Sequence, residues 1–387
     1  MFIANISGIF IAIFIVAKII GINMNPFKYG TVVDKPFFFN REKELARIRD
    51  VFNSENHLTI ISPRRYGKTS LIKRALSERN DRHIFMDMQI ILTPEDFAAQ
   101  LLKRIYRISP FSKIKNMVRS FRVVPSLVLN PSTGLIDVNF KADDKSLRYP
   151  LEDVLNLIEK LGSENKRIVV ALDEFQEIFR IDKTLDRILR SIMQNHRNIN
   201  YILAGSSESM MREIFENKKS PFYHFASVMS LNVLPEKEFT VFLSERFENI
   251  TKHSKLLSFQ ILQVTGCHPY YTQQLASFTW DILNREGYAE NIVNKAIEEI
   301  LQNNDNNYER LWQSFNRTEM KVLTGMAASN LEPLSKEFSS VYNVGATSTV
   351  YSSIQKLMQK GIVVKYNRSY TIDDPFLKKW IVMRRER

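Results

Sequence analysis

Ser62-Pro63-Arg64-Arg65-Tyr66-Gly67-Lys68-Thr69-Ser70 decides how this chain folds. The apolar run Leu58-Thr59-Ile60-Ile61 stands before it, and the helical pattern Leu71-Ile72-Lys73-Arg74-Ala75-Leu76 comes after it. Strand, loop and helix, with Gly-Lys-Thr at the helix mouth, is the setting of a phosphate-binding P-loop. Backbone N–H groups of the loop and the positive end of the helix dipole would hold an anion there. The residues expected to contact a nucleotide are therefore Ser62 through Ser70. Lys68 would reach the β- and γ-phosphates as a point charge, and the Thr69 hydroxyl would ligate Mg²⁺. Ser62 stands where the pattern G-x-x-x-x-G-K-[ST] has its first Gly, and Ser costs backbone freedom at such a turn.

The loop needs an acidic partner. Arg167-Ile168-Val169-Val170-Ala171-Leu172 is a short β-branched run of the kind buried on both faces in a parallel sheet. It ends in Asp173-Glu174, which places two carboxylates at the edge where open α/β sheets bind ligands. Asp173 would hold Mg²⁺ directly or through water, and Glu174 would polarise an attacking water. The alternative is an acidic pair that only caps the next helix. Asn200 to Ala204 is a further buried strand, followed by Gly205-Ser206-Ser207. Ser206 is placed to sense a γ-phosphate, or else the three residues only make a turn before the helix from Glu208. Strands alternating with helices (His83 to Met88, Thr93 to Tyr106 with Thr93 as N-cap, Pro150 to Leu161) indicate an α/β core with a mainly parallel sheet. Val123 to Leu129 and Leu135 to Phe140 flank Asn130-Pro131-Ser132-Thr133-Gly134, a hairpin signal within that core.

The full chain has 387 residues, 44% hydrophobic and 25% charged, an ordinary globular composition with room for two or three domains. Its single cysteine, Cys267, excludes an intramolecular disulfide and fits a reducing compartment such as the cytoplasm. Phe2 to Ile22 is apolar except for Asn5, Ser7 and Lys18, long enough to cross a bilayer as a helix. Neither a basic leader nor a cleavage site accompanies it, and Lys28, Lys35 and Arg41 would keep the rest of the chain on the cytoplasmic side. Against this anchor stands a start-site reading, in which Met24-Asn25-Pro26-Phe27 opens the protein and residues 1–23 are not translated.

Next, Asn40 is expected to cap a helix carrying Leu45, Ile48, Val51 and Phe52. The aromatic run Phe37-Phe38-Phe39 ahead of it would pack on a flat base or staple that helix to the core. From about Pro235 the pattern becomes helical. The polar Gln302-Asn303-Asn304-Asp305-Asn306-Asn307 reads as a linker, so residues 236–307 form a helical lid with its connection. Residues 308–387 show three helices, ending at Gly361, and a hairpin about Asn367-Arg368: a winged helix-turn-helix. This segment holds 13 Lys and Arg against 7 Asp and Glu, half of the chain's net charge of +12. Such an excess suits duplex DNA. The Thr347-Ser348-Thr349 opening of the third helix has no Arg to read guanine, and winged helices also serve as protein or interdomain contacts, with a homo-oligomer or a protein partner as further alternatives.

Taken together, these residues resemble the P-loop ATPases abundant in archaea and related to the STAND and AAA+ classes. The motifs are Phe39-Asn40-Arg41-Glu42-Lys43-Glu44-Leu45; Pro63 through Leu71; Leu172-Asp173-Glu174-Phe175-Gln176; Ala204-Gly205-Ser206; Thr265-Gly266-Cys267-His268-Pro269-Tyr270; and Asp374-Pro375-Phe376 with Trp380. The resemblance spans Met24 to Arg387. It implies an ATP-dependent molecular switch in which Arg41 flanks the adenine and Pro269 lies in a lid motif over the base. Relatives often carry Tyr-Gly-Arg where this chain reads Pro221-Phe222-Tyr223-His224-Phe225, so the arginine that would stabilise transferred charge is unassigned. Arg190 and Arg197 are candidates, with a surface or structural role as the alternative. The rival to a hydrolysing switch is a DNA-binding regulator with a retained, structural nucleotide. A third reading, a membrane-tethered signalling module, depends on the first 22 residues.

Overall fold

A computed structural model of the chain describes residues 24–33, 37–78, 82–129, 136–140, 148–366 and 369–385. The apolar N-terminal segment, the hairpin turn at 130–134 and the wing turn at 367–368 lie outside them. No helix among the described residues is long and apolar enough to cross a membrane. The chain divides into two compact units. One comprises Arg41–Arg64 and Lys68–Leu231; the other comprises the described residues before Arg41, Arg65–Gly67, and those from Asn232 onward.

The first unit is an α/β layer structure. Its strands are β1 (Leu58–Ile61), β2 (His83–Asp87), β3 (Ser126–Leu129), β4 (Ile136–Asn139), β5 (Ile168–Asp173), β6 (Ile199–Gly205) and β7 (Ser227–Ser230). Five form one sheet in the order β2-β5-β6-β1-β7, and every pairing in it is parallel. Residues in β1, β5 and β6 are buried throughout, the polar Thr59 and Asn200 included, so these strands do not alternate between buried and exposed positions. β3 and β4 pair antiparallel as a separate hairpin. The helix Pro94–Ile108 starts as expected, with the Thr93 hydroxyl accepting the Asp96 N–H at 3.2 Å and Pro94 in the first turn.

The register brings chemistry to one edge. Ile61 lies beside Gly205, and Leu172 beside Leu203, so Asp173, Glu174 and Ser206 emerge together at the carboxyl ends of adjacent strands. Space at Gly205 is taken by side chains: a Cβ would meet Gln176 Oε1 and Met211 Sδ, which would both have to shift.

At the opposite end of β1, His57 is held neutral. Its Nδ1 accepts the Tyr201 N–H at 3.3 Å, and its ring lies 4.5 Å from that of Phe225. Burial lowers its pKa from 6.5 to about 4, helped by repulsion from His196 and Arg190. Because the folded value is depressed, the stabilisation is complete above pH 6.5 and is lost as pH falls toward about 4. The gap corresponds to about 3 kcal/mol. Denaturant unfolding between pH 7 and pH 4 should therefore fall less steeply in His57→Gln than in the wild type, by up to about that amount. Equal slopes would mean that His57 ionises freely.

The second unit is helical with a small β-wing. Its first part is built by Glu236–Phe247, Ser254–Thr265, Pro269–Glu286 and Ile292–Gln313. Arg317–Ala328, Lys336–Val341, Thr347–Gln359, the antiparallel strands β8 (Val363–Tyr366) and β9 (Ser369–Ile372), and Pro375–Arg385 complete a winged helix. Gly361 ends the third helix of this module at φ 72°, as its position predicted.

Two sequence expectations change here. The run 302–307 is helix, not linker. Ile297, Ile300, Leu301, Tyr308 and Trp312 are buried at helical spacing through it, and Asp305 accepts the Trp380 indole N–H at 2.7 Å. Buried neighbours on either side thus outweigh the poor helix propensity of Asn and Asp. Asn40 is not the N-cap of Glu42–Phe52: that position falls to Arg41, which makes no side-chain cap. Asn40 and Arg41 both take left-handed backbone, φ 60° and 76°. Phe39 packs on Phe239 and Phe242 at centroid distances of 5.5 and 4.3 Å, against the core of the helical unit.

Candidate nucleotide-binding site

Phosphate-loop chemistry begins with backbone. The left-handed positions in the loop are Arg65 (φ 69°) and Gly67 (φ 89°); Ser62 is not among them. Its replacement of Gly therefore carries no conformational cost of the kind expected from the sequence. Ser62 is fully buried, and its hydroxyl turns to the Pro63 carbonyl at 3.3 Å.

Lys68 opens the helix Lys68–Ser77 and is buried. Its ammonium donates to the Ser62 and Pro63 carbonyls, both at 2.9 Å. Burial pushes the pKa of this ammonium down, against the opposing pull of Glu174 and Asp173. The next residue bridges the two sequence motifs: Thr69 Oγ1 donates to Asp173 Oδ2 at 2.5 Å. Burial pushes the Asp173 carboxyl up, and the Thr69 hydrogen bond opposes it. A hydroxyl and a carboxylate oxygen in contact are a donor set that fits a hard divalent cation. Among the described residues no group of three or more His, Cys, Asp or Glu gathers as a metal site. Any cation here would therefore complete its shell with phosphate oxygens and water, as Mg²⁺ commonly does.

Glu174 sits just past β5 with left-handed backbone, φ 53° and ψ 44°. A non-Gly residue there is disfavoured and persists only where its surroundings enforce it. The restraints are visible. Its Oε2 accepts from the Ser206 hydroxyl at 2.6 Å, the Ser206 N–H at 3.2 Å and the Gln176 amide at 2.5 Å, while its own N–H donates to Asp173 Oδ1 at 3.0 Å.

The first unit thus gathers Ser62, Lys68, Thr69, Asp173, Glu174 and Ser206. Gln176 was not anticipated as a member of this network. Its signal in the sequence is its place at the end of the motif Leu172-Asp173-Glu174-Phe175-Gln176, where no role is assigned to it. Glu208 was also missed; burial raises its pKa while the charges of Arg212 and Lys68 lower it. Arg41 is buried and ion-paired to Glu44 at 2.8 Å. Arg64 is exposed and Ser70 buried. In the second unit, Pro269 begins the helix Pro269–Glu286 after Gly266, which closes the preceding helix at φ 57°. Arg190 has a structural engagement: its Nε donates to the Pro221 carbonyl at 2.9 Å and its guanidinium lies over the Phe225 ring. Arg197 offers its main-chain carbonyl to Arg167 and its N–H to Glu159.

A parallel sheet with a Gly-Lys-Thr loop after β1, an acid pair after β5 and a C-terminal winged helix define a P-loop ATPase-type protein. Comparison with known proteins makes this more particular. The chain belongs to the family of ATPase domains found predominantly in Archaea, which matches residues 38–275, and a winged helix domain family matches residues 306–383. Among solved structures it is similar to a Walker-type ATPase of Pyrococcus abyssi, with 19% identity, a TM-score of 0.66, and coverage of 92% of this chain and 99% of that one. It is also similar to the ORC2 protein of Aeropyrum pernix in ADPNP and ADP complexes, with 16% identity, a TM-score of 0.53, and coverage of 92% and 96%. At these identities the likeness is one of fold. No curated protein matches the chain.

Proposed function

We propose that this protein binds ATP with Mg²⁺ and hydrolyses it slowly to ADP and phosphate, cycling as a nucleotide-dependent switch. The observation that supports this best is the chain of contacts from Thr69 through Asp173 to Glu174 and Ser206. In this reading loop N–H groups and Lys68 hold the phosphates, with the Lys68 ammonium leaving the Ser62 and Pro63 carbonyls to do so. Mg²⁺, when bound beside Thr69 and Asp173, would neutralise phosphate charge. Glu174 orients a water and accepts its proton, and its contact with Ser206 supports a γ-phosphate-sensing role for that residue. Arg41 and Pro269 are proposed at the adenine. We further propose duplex DNA as a partner of the winged helix. The exposed face of Thr347–Gln359 carries Thr347, Ser348, Thr349, Ser352 and Lys356, short polar donors suited to phosphates.

A phosphate-release assay tests both parts. Release should require Mg²⁺, stop on chelation, and respond to duplex DNA more strongly at about 50 mM than at about 200 mM salt, because phosphate contacts weaken with ionic strength. Bound ATP that stays intact through a single-turnover measurement, with and without DNA, would instead favour the regulator with a retained nucleotide.

A further inference from the structure

Three residues of the phosphate loop, Arg65–Gly67, belong to the helical unit rather than to the sheet. Within that unit Arg65 and Tyr66 make side-chain contacts. Arg65 is open to solvent, yet its guanidinium donates to the Tyr271 hydroxyl at 2.8 Å and lies 4.8 Å from the centre of the Tyr270 ring. Tyr66 is buried; its hydroxyl donates to Asp373 Oδ1 at 3.3 Å, and its ring meets His268 edge-on at 4.6 Å. Asp373 lies between the wing and the last helix, where its own N–H donates to the Ile362 carbonyl at 3.0 Å.

The surroundings of both anchors are themselves fixed. His268 Nδ1 accepts the N–H groups of Tyr270 and Tyr271, capping Pro269–Glu286, which leaves its Nε2 facing Asp373 Oδ1 at 3.7 Å. Asp374 accepts the Phe376 and Leu377 N–H groups at the start of Pro375–Arg385, and also the Tyr308 hydroxyl at 3.0 Å. The start of Pro269–Glu286 and the turn between the wing and the last helix therefore meet at two loop residues.

Phosphate loops bind their anion with backbone N–H groups, so the side chains at the variable positions are available for another task. Arg65 is also in left-handed backbone, a conformation that a non-Gly residue keeps only under external restraint. We infer that Arg65 and Tyr66 are a latch: through Tyr271 and Asp373 the helical unit holds the tip of the phosphate loop, so that freeing these contacts and releasing nucleotide are coupled events. The coupling half of this inference rests on the ATP-binding function proposed above. Linkage makes it reciprocal, so nucleotide on the loop would in turn change the protection of residues around Asp373.

The test uses the full chain with Tyr66→Phe, Tyr271→Phe and Asp373→Ala, each of which removes one partner of a latch contact. Unfolding midpoints establish that the variants fold. Without nucleotide, amide hydrogen exchange in peptides covering residues 63–69 should quicken by about five- to tenfold in each, the factor expected from one ordinary hydrogen bond. Tyr66→Phe combined with Asp373→Ala should add little to Asp373→Ala alone, because both remove the same bond. Release of a fluorescent ADP analogue should accelerate by a similar factor. Unchanged loop exchange, or independent additive effects of Tyr66 and Asp373, overturns the latch. Faster exchange with an unchanged release rate overturns the coupling. A wild-type chain that binds no nucleotide, yet shows the exchange effect, defeats the ATP-binding reading and leaves the latch standing.

Discussion

Replacing Lys68 by Ala should weaken ATP binding by at least about 100-fold, the factor corresponding to the loss of one or two charge-assisted contacts. The side chain is buried at the mouth of its helix, and its ammonium spans two loop carbonyls at 2.9 Å. Burial disfavours its charge, so a phosphate that replaced those neutral carbonyls would gain both a salt bridge and a better-satisfied cation. Alanine removes this and leaves the Ser62 and Pro63 carbonyls without their donor, so a modest stability loss accompanies it. Titration calorimetry separates the two effects when the unfolding midpoint is measured alongside. Lys68→Met keeps much of the packing and should lose binding to the same degree. An affinity within about threefold of wild type in either variant would remove Lys68 from the site.

Replacing Glu174 by Gln should leave ATP affinity nearly unchanged and lower turnover by about 10² to 10⁴, the usual contribution of a positioned general base. Glutamine retains an oxygen that can accept from the Ser206 hydroxyl and N–H, so the left-handed turn after β5 keeps its restraint. What it loses is the capacity to take a proton. Rapid-quench measurement of a single turnover, with binding followed on the same preparation, distinguishes this from a structural role. If Glu174 only caps the turn, turnover survives the change. Asp173→Ala differs in kind: it removes the acceptor of the Thr69 contact that links the two motifs and should weaken the dependence on Mg²⁺.

The site is legible in the sequence to different depths. Lys68, Thr69, Asp173 and Glu174 stand out because each sits at a strand or helix end that apolar patterning locates, and the register of β1, β5 and β6 then brings these ends to one edge. Gln176 does not, since nothing in a polar residue after an acid pair says that it will turn back to Glu174. The 302–307 run misleads because Asn and Asp favour loops as isolated residues, whereas here buried Ile300, Leu301, Tyr308 and Trp312 hold the helix together. Ser62 looks costly only because the pattern names Gly; the positive φ angles fall at Arg65 and Gly67 instead.

The loop from Ser62 to Ser70 shows where the division lies. Sequence alone determined that it succeeds a buried strand, opens a helix and carries Lys and Thr in phosphate-loop order, because periodicity and turn chemistry are local properties of the chain. It also determined that an acidic strand end and a winged helix come later. Only the tertiary structure decided that Thr69 meets Asp173, that Ser206 holds Glu174, and that Arg65 and Tyr66 answer to Tyr271 and Asp373, 206 and 307 residues away. Those pairings depend on sheet register and helix packing, which are set by the burial of whole faces at once and leave no trace in the spacing of the residues they bring together.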